Sequence, residues 1–215
     1  MSIILALETS THACSAALLV NGHRYQRCIL APREHAERIL GMISDLCSEA
    51  GISLQELEGV AFGQGPGSFL GTRIAAGVAQ GLGFSLNIPL FPISSLQALA
   101  QGLIYKTSAT DVIPAWDARL GSFYWGHYRL VGDRLKPVMK DALCKPVDFL
   151  RPPGVSHLVG NAWAVYQVEL GDNSAEAFEA YPEAIDLLPE AEYRFGCGQG
   201  VVAAEALPVY LRDPI

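Results

Sequence analysis

Gly63-Gln64-Gly65-Pro66-Gly67-Ser68-Phe69-Leu70-Gly71-Thr72-Arg73 decides how this chain is read. The apolar run Gly59-Val60-Ala61-Phe62 enters it as a strand. The segment that leaves it places Ala75, Ala76, Gly77, Ala79, Gly81 and Gly83 at helical spacing. Each glycine inside a helix costs roughly 1 kcal/mol relative to alanine. Gly71, Gly77, Gly81 and Gly83 together cost about 4 kcal/mol, which packing within or between molecules must offset. At about 100° per residue, Gly71, Ile74, Ala75, Val78 and Leu82 form a face suited to a sheet. Leu70, Gly77, Gly81 and Phe84 form a neighbouring face, with Arg73 and Gln80 at its edge, smooth enough to receive a second helix. The first face reads as core and the second as a partner surface. The alternative is a helix buried on both sides within one domain.

Two catalytic readings of the same loop fail on residue type. A Walker loop needs Lys and then Ser or Thr after its last glycine, and Gly71 is followed by Thr72-Arg73. A nucleophile elbow needs glycine two residues to each side of its serine, and Ser68 has Pro66 and Leu70 there. Ser68 therefore reads as a helix N-cap.

The 215 residues suffice for one large domain or two lobes with their own cores, and half of them are hydrophobic. A net charge of -7 without a basic stripe argues against direct nucleic-acid binding by this chain alone. Cys14, Cys28, Cys47, Cys144 and Cys197 are odd in number and widely spaced, so they read as reduced thiols rather than a zinc site. His12, His23, His35, His127 and His157 include no pair at three- or four-residue spacing, so no helical metal site is expected. Residues 1–8 have no basic start and too short an apolar run for a signal peptide or membrane span. The expectation is a cytoplasmic protein.

Along the chain, residues 3–7 read as a buried strand ending in Glu8-Thr9-Ser10. Residues 13–20 and 23–30 form a hairpin about Asn21-Gly22, a type I′ signal. Pro32 opens a helix with the apolar stripe Ile39, Met42, Ile43, Leu46 and Ala50, closed by Gly51. Arg33, Glu34, Glu37, Arg38 and Asp45 supply its polar side. Ser53 and Glu56 have capping-box spacing. The small-residue helix runs to about Leu86. Residues 88–93 form an edge-like strand because Pro89 and Pro92 cannot donate ladder hydrogen bonds, and Ser94 or Ser95 caps a helix to about Lys106. From Thr107 the design repeats: residues 112–116 end in Asp117 as the first strand ended in Glu8, and a strand over 122–130 follows. Residues 137–153 are punctuated by proline, 157–160 read as strand and turn, 171–175 as loop, and a helix follows Pro189. The lobes are thus residues 1–106 and 107–215, the last segment of the second packing back on the first.

A strand, acidic loop and hairpin, repeated in a second lobe, is the outline of the actin, sugar-kinase and Hsp70 superfamily. Within it the chain resembles the TsaB (YeaZ) family, bacterial companions of the tRNA threonylcarbamoyladenosine synthase TsaD. The resemblance is carried by Leu7-Glu8-Thr9-Ser10, Arg33-Glu34-His35, Gly65-Pro66-Gly67-Ser68-Phe69 with Gly71 and Arg73, Asp117-Ala118-Arg119, and Pro208-Val209-Tyr210-Leu211-Arg212. It implies an α/β, two-lobed actin-like (ribonuclease H-like) fold with mixed sheets flanked by helices. It also implies a non-catalytic scaffold or activator that binds TsaD and works with the ATPase TsaE. The two histidines that hold TsaD's metal would fall at Ser95 and Leu99, which cannot ligate as imidazole does. The resemblance places partner or homodimer contacts on the helices after Pro32 and Ser68: Arg33, Glu34, His35, Arg38, Leu70, Arg73, Gly77, Gln80, Gly81 and Phe84. His35 reads equally as a solvated helix residue. Glu8, Thr9, Ser10 and Asp117 become vestigial phosphate-loop positions, with a turn-stabilising role as the simpler account of both acids. The family more often has aspartate where Glu8 stands and an acid near Ser122, which argues against magnesium nucleotide here. No cofactor of its own is implied, ATP or ADP belonging to the partner junction, and tRNA is met only through the complex. Two other functions compete: a stand-alone actin-fold ATPase or kinase, resting on Glu8, Asp117 and the glycine turns, and a glycoprotease-like peptidase, for which no Ser/His/Asp or Cys/His motif is legible.

Overall fold

The computed structural model describes residues 2–171 and 177–212. The loop expected over 171–175 lies, beyond Gly171, outside them. Five strands, β1 (Ile3–Glu8), β2 (Ala13–Val20), β3 (His23–Leu30), β4 (Gly59–Gly63) and β5 (Leu90–Ile93), form a mixed sheet in the order β3-β2-β1-β4-β5. β1 is antiparallel to β2 and parallel to β4, the ribonuclease H-like arrangement. Five more strands, β6 (Asp111–Asp117), β7 (Phe123–Val131), β8 (Arg134–Cys144), β9 (His157–Val159) and β10 (Ala177–Phe178), form a second sheet in the order β10-β9-β6-β7-β8. Its pairing directions repeat those of the first sheet strand for strand. The duplication seen in the sequence is therefore a duplication of topology.

Local chemistry accounts for most boundaries. Asn21 and Gly22 both take positive φ (52° and 89°), as a type I′ turn requires between right-twisted strands. Ser68 Oγ accepts from the Gly71 N–H, and Ser94 Oγ accepts from Leu96 and Gln97, capping α2 (Phe69–Leu86) and α3 (Ser95–Lys106). β5 is an edge strand, as its prolines require. Two expectations need correction. Pro32 does not open the first helix: Arg33 has φ 73°, which interrupts helical geometry, and α1 starts later (His35–Ala50). Residues 134–144 are a long strand, which the proline-punctuated reading of 137–153 did not identify. Pro137 is accommodated because β8 is the sheet edge.

The alternation of side chains along β1 divides the first core. Leu5 and Leu7 face Ile39 and Leu46 of α1 and Ala75 and Ala79 of α2. Ile4 and Ala6 face Ala98 of α3 together with Leu187, Leu188 and Ala191, the last two on α6 (Leu188–Gly196). α3 is shared, since Leu96, Leu99 and Leu103 pack against Val112, Trp116 and Tyr128 of the second sheet. The opposite face of that sheet buries Phe123, Phe149 and Trp163, the last on α4 (Ala162–Val165), which is followed by α5 (Gln167–Leu170). Phe149 meets both Phe123 and Trp163 edge-on, with ring centroids 5.5 Å apart.

Asp186 belongs to the turn that seats residues 184–187 on the first sheet, and it closes on α3 where a Cβ at Gly102 would lie 2.7 Å from its Oδ2. Burial, followed by the charge of Glu183, pushes its carboxyl up to about 7, against the opposing pull of Lys106 and Arg24. A raised carboxyl favours the folded state below its unfolded value near 4, and that contribution is lost as pH rises through about 7. Thermal melts of wild type should therefore fall from pH 5 to pH 8 relative to Asp186→Asn, with the variant gaining at the alkaline end. Parallel pH profiles would refute the assignment.

Candidate functional site

At the end of β1 the carboxylate of Glu8 is fully buried. Its Oε1 accepts from the Ser10 N–H at 2.7 Å, and its Oε2 accepts from Ser95 Oγ at 2.8 Å. Burial raises its pKa, while the bonds from Ser10 and Ser95 act in the opposite direction. The glycine loop is pressed onto this segment. A Cβ at Gly63 would lie 1.9 Å from Glu8 Oε2, one at Gly67 would lie 2.5 Å from the Ser10 carbonyl, and one at Gly71 would lie 2.0 Å from the Thr9 carbonyl. Thr9 Oγ1 donates to the Gly71 carbonyl at 2.7 Å, and the Ser68 N–H donates to the Ser10 carbonyl at 2.7 Å. The glycines therefore admit the β1 loop rather than a phosphate. Of Glu8, Thr9 and Ser10, placed in sequence as phosphate-loop positions, the first two have their side chains bonded within the fold, and only Ser10 reaches the cavity described next.

Between the ends of the two sheets lies a cavity of about 730 Å³. Asp117 stands at the end of β6 as Glu8 does on β1, and it repeats the same turn: its Oδ1 accepts from the Arg119 N–H at 2.8 Å, two residues on. Tyr166 Oη also donates to Asp117 Oδ1 (2.7 Å), and Arg119 Nε lies 3.5 Å from Oδ2. Unlike Glu8, Asp117 lines the cavity. Asn161, beyond β9, accepts from the Asp117 N–H. Sequence reasoning missed Asn161 and Tyr210, which line the cavity, and Tyr166, which holds Asp117 at its wall. They lie far apart in the chain, and only the pairing of β6 with β9 and the return of the C-terminal residues bring them together.

The partner-face residues divide. Leu70 (62% exposed) and Phe84 (83%) are open to solvent, and a Cβ at Gly77 or Gly81 would meet nothing within 4 Å. The buried face of α2 is centred on Ala75, Ala76, Ala79 and Gly83, with Ile74, Val78 and Leu82 only half-buried. Beside it, Leu40, Ile43 and Cys47 of α1 join Ile52, Leu54 and Leu82 around an apolar groove of about 410 Å³. Arg33 is exposed, and exposed Arg38 pairs with Glu34 at 2.7 Å. Three residues depart from the expected surface. His35 is buried, its Nε2 without a partner among the described residues. Gln80 donates to the Ala206 carbonyl, and Arg73 donates to the Phe69 carbonyl. The Arg73 guanidinium lies 3.3 Å from the Phe69 ring centroid and 4.7 Å from that of Tyr210, so it is stacked and faces the cavity.

Ser95 is spent on Glu8, and Leu99 is core. No cluster of three or more His, Cys, Asp or Glu among the described residues could hold a metal ion.

The family model described as TsaD, tRNA N6-adenosine threonylcarbamoyltransferase, matches residues 29–180, more than half the chain. The tRNA threonylcarbamoyladenosine biosynthesis protein TsaB of Escherichia coli (strain K12) is 37% identical, with 99% of this chain and 95% of that protein covered. The chain belongs to the TsaB family. The TsaB of Haemophilus influenzae is 34% identical over 99% of this chain and 94% of its own length. Among solved structures, YeaZ from Pseudomonas aeruginosa superposes with a TM-score of 0.92 at 40% identity, covering 98% of this chain and 100% of that one. Likeness to TsaB thus spans nearly the whole chain, both sheets included.

The contacts at the glycines separate two outcomes. Gly71→Ala drives a methyl into the Thr9 carbonyl and should lower the unfolding free energy by about 2–3 kcal/mol. Gly77→Ala meets open space and should raise it by about 0.5–1 kcal/mol. Urea unfolding of both variants checks the pair, and equal effects would contradict the division of the helix.

Proposed function

We propose that this TsaB-family chain is a non-catalytic scaffold and activator in the formation of tRNA N6-threonylcarbamoyladenosine, docking on TsaD and working with TsaE. One observation carries the reading: the Glu8 carboxylate and the Thr9 hydroxyl at the end of β1 are consumed internally, while α2 turns an apolar, glycine-smoothed face to solvent beside the α1 groove. An enzyme needs the first set free, and a docking subunit needs the second. Small residues let a facing helix approach closely, and Arg33, Glu34 and Arg38 form a charged rim of the kind that steers association. A stable contact would bury about 1,200 to 2,000 Å² in total.

On this reading the transfer chemistry belongs to TsaD, and tRNA is met through the assembly. Any ATP or ADP sits at the subunit junction, with no cofactor held by this chain. Alone, the same face pairs two copies. The setting is cytoplasmic, consistent with the finding that no helix among the described residues is long and apolar enough to cross a membrane. Stand-alone phosphotransfer loses its strongest candidate, because Glu8 is sealed and Asp117 is already engaged by Arg119 and Tyr166. Peptidase chemistry finds no support in geometry: the one Ser–His hydrogen bond among the described residues joins the neighbours Ser156 and His157, without an acid.

Light scattering of the chain mixed with TsaD from the same organism should give the mass of a complex at micromolar concentration. Gly77→Leu/Gly81→Leu should fold as wild type does, since neither site is occupied, yet weaken the complex by about tenfold or more. Absence of a wild-type complex, or full tRNA modification by TsaD and TsaE without this chain, would defeat the proposal.

A further inference from the structure

The cavity between the sheets is separate from the proposed docking face, and its composition is unusual for a chain of net charge -7. Arg73, Arg119 and Arg212 line it, against the single carboxylate of Asp117. Aromatic and aliphatic side chains supply much of the rest, among them Phe69, Tyr124, Leu120 and Tyr210. Its volume lies within the range of small-molecule sites, about 300–1,000 Å³. Two of the arginines are held in place. Arg73 is stacked on Phe69 and Tyr210, and Arg212 Nη2 donates to the carbonyls of Ala118 and Arg119. Arg119 rides on an irregular turn in which it, Leu120 and Gly121 all have positive φ, and its side chain is 76% exposed. In the floor, the buried Oγ of Ser10 has no partner among the described residues.

The anion can be narrowed by asking which donors are unspent. A polyphosphate is held by a nest of backbone amides together with a divalent cation. Here five amides of the two facing loops are committed: Ser68 to the Ser10 carbonyl, Gly71 to Ser68 Oγ, Thr72 to the Ser68 carbonyl, Ala118 to the Ser122 carbonyl and Arg119 to Asp117. With Glu8 sealed, Asp117 is the one acid left, and it is paired with Arg119. The cations that line the cavity are guanidinium, whose planar fork matches a carboxylate, beside a wall of rings. We infer that this cavity binds, without a metal ion, a small carboxylate carried on an aromatic or apolar body, the anion on the arginines and the body against the rings. The carboxylate belongs either to a free acid or to the end of a peptide, and the chemistry is the same for both.

Isothermal calorimetry on the full chain in EDTA distinguishes the sources, with hydrocinnamate as the free acid, N-acetylphenylalanine as the chain end and N-acetylphenylalanine amide as the neutral isostere. Saturable binding of either acid at low millimolar concentration or below, at least about tenfold tighter than the amide, is expected. Whichever acid binds more tightly identifies the source. Arg212→Gln and Arg119→Asn should each weaken it by about tenfold; asparagine tolerates the left-handed backbone at 119, and thermal melts report that both variants are folded. No saturable binding of either acid, equal binding of the amide, or binding of adenosine monophosphate alone and only with magnesium would overturn the inference.

Discussion

Everything distinctive in this structure follows from one close contact, the glycine loop seated on the backbone at the end of β1. Gly63, Gly67 and Gly71 bring three stretches of main chain within distances that no side chain would allow, against Glu8, Ser10 and Thr9 in turn. That seat fixes where α2 leaves the sheet and leaves the acid of the first lobe with Ser10 and Ser95 as partners inside the protein. The Glu8 carboxylate and the Thr9 hydroxyl, at positions where a metal-nucleotide enzyme presents groups to its ligand, form bonds within the fold. Burying an ionisable group in this way is tolerable because two donors meet it, and its raised pKa records the desolvation that they do not offset.

The second lobe keeps the same turn in a looser setting. Asp117 binds the amide two residues on, as Glu8 does, but it is also held by Tyr166 and Arg119 at the wall of a cavity. α3 belongs to both cores, packing Ala98 toward the first sheet and Leu96, Leu99 and Leu103 toward the second. The two copies of one topology thus differ at their strand ends. One copy sealed its strand end and offers a helix face, while the other left its strand end open to the space between them.

How much of this could be read in advance depended on whether the cause was local. The Asn21-Gly22 hairpin, the Ser68 and Ser94 caps, the edge position of β5 and the open side of α2 all follow from residue type and spacing within a few positions, and the structure has each of them. β8 was not legible, because Pro137 argues against a strand until it is known that the strand lies at an edge. The start of α1 was missed because the positive φ of Arg33 has no signal in an arginine. His35 and Gln80 carry surface-like side chains that the packing takes inside or ties to the C-terminal segment. The stack of Phe69, Arg73 and Tyr210 joins residues far apart in the chain, and no periodicity reports such a meeting.

The central claim is that the acid at the end of β1 is sealed by backbone contact and has no access to metal or phosphate. Carbon NMR of the side-chain carboxyls in glutamate-labelled protein, with Glu8 assigned by Glu8→Gln, tests it most directly. The account predicts a Glu8 resonance that titrates above the ordinary carboxylate range and is not broadened by added manganese. A Glu8 carboxyl with an ordinary titration and strong broadening by the metal would contradict it.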